Sequence, residues 1–128
     1  EIDGVTFRTS VRHVHSVETY GVKFEVGDRL ISFLVDTDYF EELADAYADS
    51  DVLVINIVRH HPVKHGNVQH LCVEEAKEII SAVQPEKAVL THFGMTMLQA
   101  HPWEVAEQVS QELGVDVIAA SDGKKLDL

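Results

Sequence analysis

Short aliphatic and β-branched runs alternate with helix-period segments along this chain, and three of the runs end in a polar tip. Ala88-Val-Leu-Thr91 leads into His92-Phe-Gly94, Leu30-Ile-Ser-Phe-Leu-Val35 leads into Asp36, and Val52-Leu-Val-Ile55 leads into Asn56. Runs of this length and β-branched content predict buried strands. In open α/β sheets, ligands sit at the carboxyl ends of strands, so the three tips predict one functional edge.

The remaining pattern fills in the elements. Val5 to Val11 reads as a strand, and Gly27-Asp28 between Tyr20–Val26 and Arg29–Val35 reads as the turn of a hairpin. Asp38 with Glu41 makes a capping box, and Phe40, Leu43, Ala44 and Tyr47 follow at helical spacing, which predicts a helix over Tyr39–Ala48. Arg59 to His70 reads as a loop holding His60, His61, His65 and His70. Val73, Ala76, Ile79, Ile80 and Val83 mark one face of a second helix that Pro85 stops. Pro102 suits the first turn of a third helix, whose apolar face is Val105, Ala106, Val109 and Leu113 and whose end is Gly114. Val115 to Ala120 predicts a last buried strand, and Asp122-Gly123 turns the chain into a short tail strand. A hairpin followed by strand and helix alternation makes this an α/β protein, a mixed β-sheet with helices on one face. The other face then needs a partner, because it would expose a large apolar patch.

Composition narrows the class. With 128 residues and 45% hydrophobic content, residues 1–128 read as a single domain that buries roughly two-thirds of its unfolded surface. No apolar run approaches the ~20 residues of a membrane span, and no export signal is visible, so a soluble cytoplasmic protein is expected. A single cysteine, Cys72, excludes an internal disulfide and reads as a small packed side chain near a helix start. A formal charge of −12 argues against a wide nucleic-acid footprint, since such a surface repels phosphates, although bound cations reverse the sign locally. The sequence starts at Glu1, inside apparent strand material, and reads as part of a longer protein.

Four segments in order carry a resemblance: His15 followed by Val17-Glu-Thr-Tyr-Gly21, Asp36 in Leu-Val-Asp-Thr-Asp, His70-Leu-Cys-Val-Glu-Glu-Ala76, and Leu90-Thr-His-Phe-Gly94. From about Val5 onward the chain resembles the carboxyl half of a metallo-β-lactamase-fold hydrolase, in the phosphodiesterase branch that includes ribonuclease Z and the cyclic-phosphate phosphodiesterases. The resemblance implies half of an αββα sandwich, the amino-terminal half being absent from this chain. It further implies that His15 binds a first metal, Asp36 bridges two, and His92 binds the second. His70 falls where that branch places a histidine beside the scissile phosphate, with Arg59 and Lys64 as candidates for phosphate contact. Imidazole and carboxylate suit zinc, manganese or iron, and two close divalent ions suit phosphodiester hydrolysis.

The main metal signature of the fold, His-x-His-x-Asp-His, is missing. Arg12-His-Val-His15 has its first two letters but continues Ser16-Val17, so His13 reads as a neighbour and not a ligand. Blander roles exist for every candidate: Asp36 as a helix cap, His92 as a satisfied strand-end histidine, and His70 as a cap of the second helix. His60, His61, His65 and His101 read as solvated loop residues, and Glu41, Glu42, Glu104, Glu107 and Glu112 as solvated helix surface. Two functional classes follow. One is a metal-dependent hydrolase of phosphate esters, completed by an amino-terminal half. The other is a non-catalytic half-domain that pairs with a second copy as a homo-oligomer through its bare sheet face. A phosphoacceptor receiver domain is disfavoured because Val5 to His15 lacks an acidic pair.

Overall fold

Alternation of apolar and polar residues in the strands decides which way the sheet faces. The computed structural model describes residues 1–63 and 69–127, which places Lys64 and His65 outside the described residues. In chain order the elements are β1 (Thr6–Arg12), β2 (Tyr20–Val26), β3 (Arg29–Leu34), α1 (Leu43–Ala46), β4 (Val52–Arg59), β5 (Leu71–Cys72), α2 (Val73–Val83), β6 (Lys87–Thr91), α3 (Met95–Gln99), α4 (Pro102–Leu113) and β7 (Asp116–Ala119). The sheet order is β1-β2-β3-β4-β6-β7, with β5 paired to the end of β4. The pairs β1–β2 and β2–β3 are antiparallel and the rest are parallel. The mixed sheet expected from the pattern is therefore present. Strands β1, β3, β4, β6 and β7 all run toward the same edge.

One face of this sheet carries the core. Leu34, Leu53, Ile55, Ile57, Ala88 and Leu90 point into a cluster with Leu43 and Tyr47 of the α1 segment, Ile79 and Ile80 of α2, and Val105 and Val109 of α4. The intervening strand positions, Phe24, Ile31, Phe33, Val54 and Val89, line the opposite face and form a wholly apolar shallow groove of about 400 Å³, which Leu126 of the tail partly covers. Phe7, Phe24 and Phe33 stand in a cross-strand row there, with centroids 6.2 and 5.7 Å apart. Helices on one face and a bare apolar face on the other follow from the period-2 pattern of the strands.

Four local expectations change. The helix over Tyr39–Ala48 shrinks to Leu43–Ala46, and Glu42, not Asp38, is its cap residue. The reason is that Asp38 is already engaged: its N–H donates to the Val14 carbonyl at 2.8 Å, and its side chain accepts from the Tyr39 N–H at 3.2 Å. The tail after Asp122-Gly123 is not a strand among the described residues. β4 runs on to Arg59, and the short β5 and α3 occupy stretches in which periodicity predicted nothing. Cys72 is buried at the α2 start, its N–H bonded to Glu75 Oε2 at 2.8 Å, and burial pushes its thiol up, which suits the packed role expected.

Gly94 shows how closely the functional edge packs on the sheet. A Cβ at this position would lie 2.6 Å from the Val58 carbonyl oxygen and 2.8 Å from its Cγ1. Gly94→Ala is expected to destabilise the chain by about 1–3 kcal/mol, the range for forcing an extra carbon into a packed site. A lowered urea midpoint with unchanged slope checks it; an unchanged midpoint would show that β4 yields without cost.

Candidate metal centre

Because β1 and β3 are both antiparallel to β2, their ends share an edge with those of β4 and β6. His15 lies in the loop after β1, Asp36 two residues past β3, and His92 next to the last residue of β6. His70 immediately precedes β5, which pairs parallel with the end of β4. The topology thus delivers four side chains from four separate segments to one place.

Their distances are short. Donor atoms of His15, Asp36 and His70 all lie within 4.8 Å of one another. Asp36 Oδ1 is 3.5 Å from His70 Nδ1 and 3.3 Å from His92 Nε2. The His70 ring sits between the other two imidazoles, its centroid 5.4 Å from that of His15 and 5.9 Å from that of His92. Asn56 Nδ2 donates to Asp36 Oδ1 at 2.9 Å and fixes the carboxylate rotamer. Asn56 stood out in the sequence only as a polar strand tip; its hold on Asp36 is a tertiary fact. His92 adopts φ +62°, a left-handed conformation that costs a non-glycine residue energy and clusters at functional sites.

These residues fit a divalent cation. Among the described residues, His15 Nδ1 and His70 Nδ1 are buried without a hydrogen-bond partner, and an orphaned buried nitrogen is costly unless something else satisfies it. Burial pushes the His70 imidazole below its ordinary range despite the Asp36 charge that opposes it, which keeps the ring in the neutral, ligating form. Arg59 donates through its guanidinium to the His70 carbonyl and so ties β4 to the loop in front of β5. His13 is not a donor in this group. It is buried, with Nδ1 3.3 Å from the Asp36 carbonyl oxygen and Nε2 2.8 Å from the Tyr47 hydroxyl, the neighbour role expected of it. His61 is exposed and His60 bonds to it at 2.9 Å, while His101 stacks on Trp103 at 5.0 Å. Beside His92 a cleft of about 630 Å³ opens, walled by Phe93, Leu98, Trp103 and Ser121. It takes in His92 but not His15, Asp36 or His70, so this cleft and the donor cluster coincide only at His92.

A family profile described as a beta-lactamase superfamily domain matches residues 2–93. The chain belongs to this family. Its fold is that of the metallo-beta-lactamase proteins. It is similar to the metallo-beta-lactamase fold protein YhfI from Bacillus subtilis, with TM-score 0.78 and 16% identity over 94% of this chain and 48% of the other. It is also similar to a diphosphatase from the PhnP family, with TM-score 0.72 and 21% identity over 100% and 45%. Short-form human tRNase Z aligns with TM-score 0.67 and 15% identity over 97% and 43%. An uncharacterized protein of Methanocaldococcus jannaschii is 30% identical over 95% of this chain and 47% of its own length. This beta-lactamase superfamily chain therefore spans about half the length of these relatives. Among the described residues, no helix is long and apolar enough to cross a membrane.

Burial lowers the pKa of both His13 and His70 from 6.5, so the folded metal-free chain resists protons that the unfolded chain accepts. This contribution to stability is whole above about pH 6.5 and is lost as the pH falls from there through the lowered folded values. Urea unfolding of the metal-free chain at about pH 7.5 and about pH 5.5 should give the lower midpoint at the acid pH, with a smaller difference in His13→Asn. An equal midpoint at both, or the same difference in the variant, would show that the buried imidazole contributes nothing.

Proposed function

We propose that this chain supplies carboxyl-terminal ligands to a metal-dependent hydrolase of phosphate esters, phosphodiesters first among them. The convergence of three imidazoles on one carboxylate at a strand-end edge carries the reading. Membership of the beta-lactamase superfamily supports it, as does likeness in fold to proteins described as a diphosphatase and a tRNase Z. In this reading His15 would hold one metal, Asp36 would be shared by both, and His92 would hold the other. Two divalent ions, zinc, manganese or iron by the donor chemistry, supply Lewis acidity and a nucleophile at neutral pH. Asp36 is held for this by Asn56, and His92 by the turn that Gly94 closes against Val58. His70 faces the phosphate and steadies charge or the leaving group, while Arg59 and Lys64 are candidates for contact with phosphate oxygens.

A second reading makes His70 a ligand, favoured by its donor atom lying within 4.8 Å of those of His15 and Asp36. The two readings separate on metal content. The remaining ligands come, in either, from an amino-terminal half whose sheet would cover the apolar face of Phe24, Ile31 and Phe33. A second copy of this chain on that face is the non-catalytic alternative.

Metal analysis of the full-length protein with bis(p-nitrophenyl) phosphate as substrate tests the proposal. His92→Ala should lower bound metal and reduce hydrolysis by orders of magnitude; unchanged occupancy removes His92 from the centre. His70→Ala should retain metal and slow turnover about 10- to 1,000-fold, the range for acid–base assistance. Loss of metal in that variant selects the ligand reading for His70.

A further inference from the structure

We propose that His13 and Tyr47 form a locked pair that positions the Asp36 backbone, and with it the carboxylate, for the metal centre. The proposal rests on the metal-site reading above and adds to it two residues that touch neither metal nor substrate.

The segment after β1 is clipped to the segment after β3. Val14 N–H donates to Thr37 Oγ1 at 3.0 Å, and Asp38 N–H donates to the Val14 carbonyl at 2.8 Å. These bonds leave the Asp36 carbonyl to be met from the side, and the His13 ring meets it, with Nδ1 3.3 Å away. A carbonyl only accepts, so Nδ1 carries the proton. In the neutral ring Nε2 is then a bare acceptor, and the Tyr47 hydroxyl donates to it at 2.8 Å. His13 is 3% exposed and Tyr47 0%, so water has little access to either bond. The chain of donors runs from Tyr47 through His13 to Asp36, and His15 stands two residues beyond His13. One clip therefore sets the spacing between two of the residues that hold the metal.

The Tyr47 hydroxyl, and not merely its ring, is what the fold accommodates. A Cβ at Gly21 would lie 1.7 Å from that hydroxyl and 2.7 Å from the Phe33 carbonyl oxygen, so β2 must be bare where the phenol reaches past it. Lys23, on the same strand, lies 5.4 Å from the Tyr47 ring centroid and pairs with Asp49, two residues after Tyr47. Burial pushes the Tyr47 hydroxyl up to about 12, against a smaller lowering contribution from Ser10, so the phenol remains a donor well above neutral pH.

Cobalt(II) titration of the full-length protein, read by visible absorption and dissociation constant, tests the pair together with long-range proton–nitrogen NMR of the metal-free protein. The NMR should find His13 protonated at Nδ1 and bare at Nε2. Tyr47→Phe keeps the ring, and so the core, yet should weaken cobalt binding about 10-fold, at the lower end for groups that orient ligands. In a His13→Asn background, where the amide reaches the Asp36 carbonyl without help from Tyr47, the same change should do nothing further. His13→Asn should also bind cobalt more tightly than His13→Ala. A proton on Nε2, or an equal effect of Tyr47→Phe in both backgrounds, would reduce the hydroxyl to packing and overturn the proposal while leaving the metal centre intact. Asp36→Asn is the control on the underlying reading. If it binds cobalt as the unaltered protein does, the metal-site reading fails, and the positioning role falls with it whatever tautomer the NMR finds.

Discussion

Parallel pairing of β3, β4 and β6 in a single register is the constraint on which the edge depends. Leu34 pairs with Ile55, Ile55 with Leu90, and Asn56 with Thr91, so Asp36 and His92 leave β3 and β6 at nearly one level, beside Asn56 within β4. A slip of one residue would turn every side chain of a strand to the other face. The core forbids it: Leu34, Leu53, Ile55 and Leu90 are at most 1% exposed. Each such side chain contributes about 1.5–3 kcal/mol when buried. The site therefore inherits its precision from apolar residues that never touch it.

Beyond the strand ends, short-range ties take over from register. The loop after β1 is held to the loop after β3 by backbone bonds through Val14, Thr37 and Asp38. The loop after β6 is held by the Gly94 N–H on the Val58 carbonyl at 3.0 Å and by Thr96, whose hydroxyl accepts from the His60 N–H at 3.1 Å. Left-handed backbone at His92 persists because it is fixed by the β6 ladder on one side and by these ties on the other. The imidazole is aimed at Asp36 by a backbone state that an unconstrained loop would rarely adopt.

The two faces of the sheet answer different demands. Helices seal one; the other keeps a row of Phe7, Phe24 and Phe33, with Leu126 of the tail lining the groove beside it. A patch of that kind in water favours association, and the chain spans only about half the length of its relatives. The strong negative charge, −12 over 128 residues, limits what such a protein attracts without cations at its edge.

Much of this was legible in the residues alone. Period-2 and period-3.6 patterns encode which face of each element is buried, so the mixed sheet, the helices α2 and α4, the bare face and the polar strand tips could all be read locally. The same patterns misjudged α1, because the bonds that take Asp38 away from a helix come from Val14, far back in the chain. They passed over Tyr47 as one more core residue, since its value lies in a hydroxyl that meets His13 across 34 positions of sequence. They likewise left open how near His70 would stand to Asp36, a distance set by the short pairing of β5 with the end of β4. Patterning is a property of neighbours and survives in sequence; convergence of His15, Asp36, His70 and His92 is a property of register and chain crossing, which only the folded sheet decides.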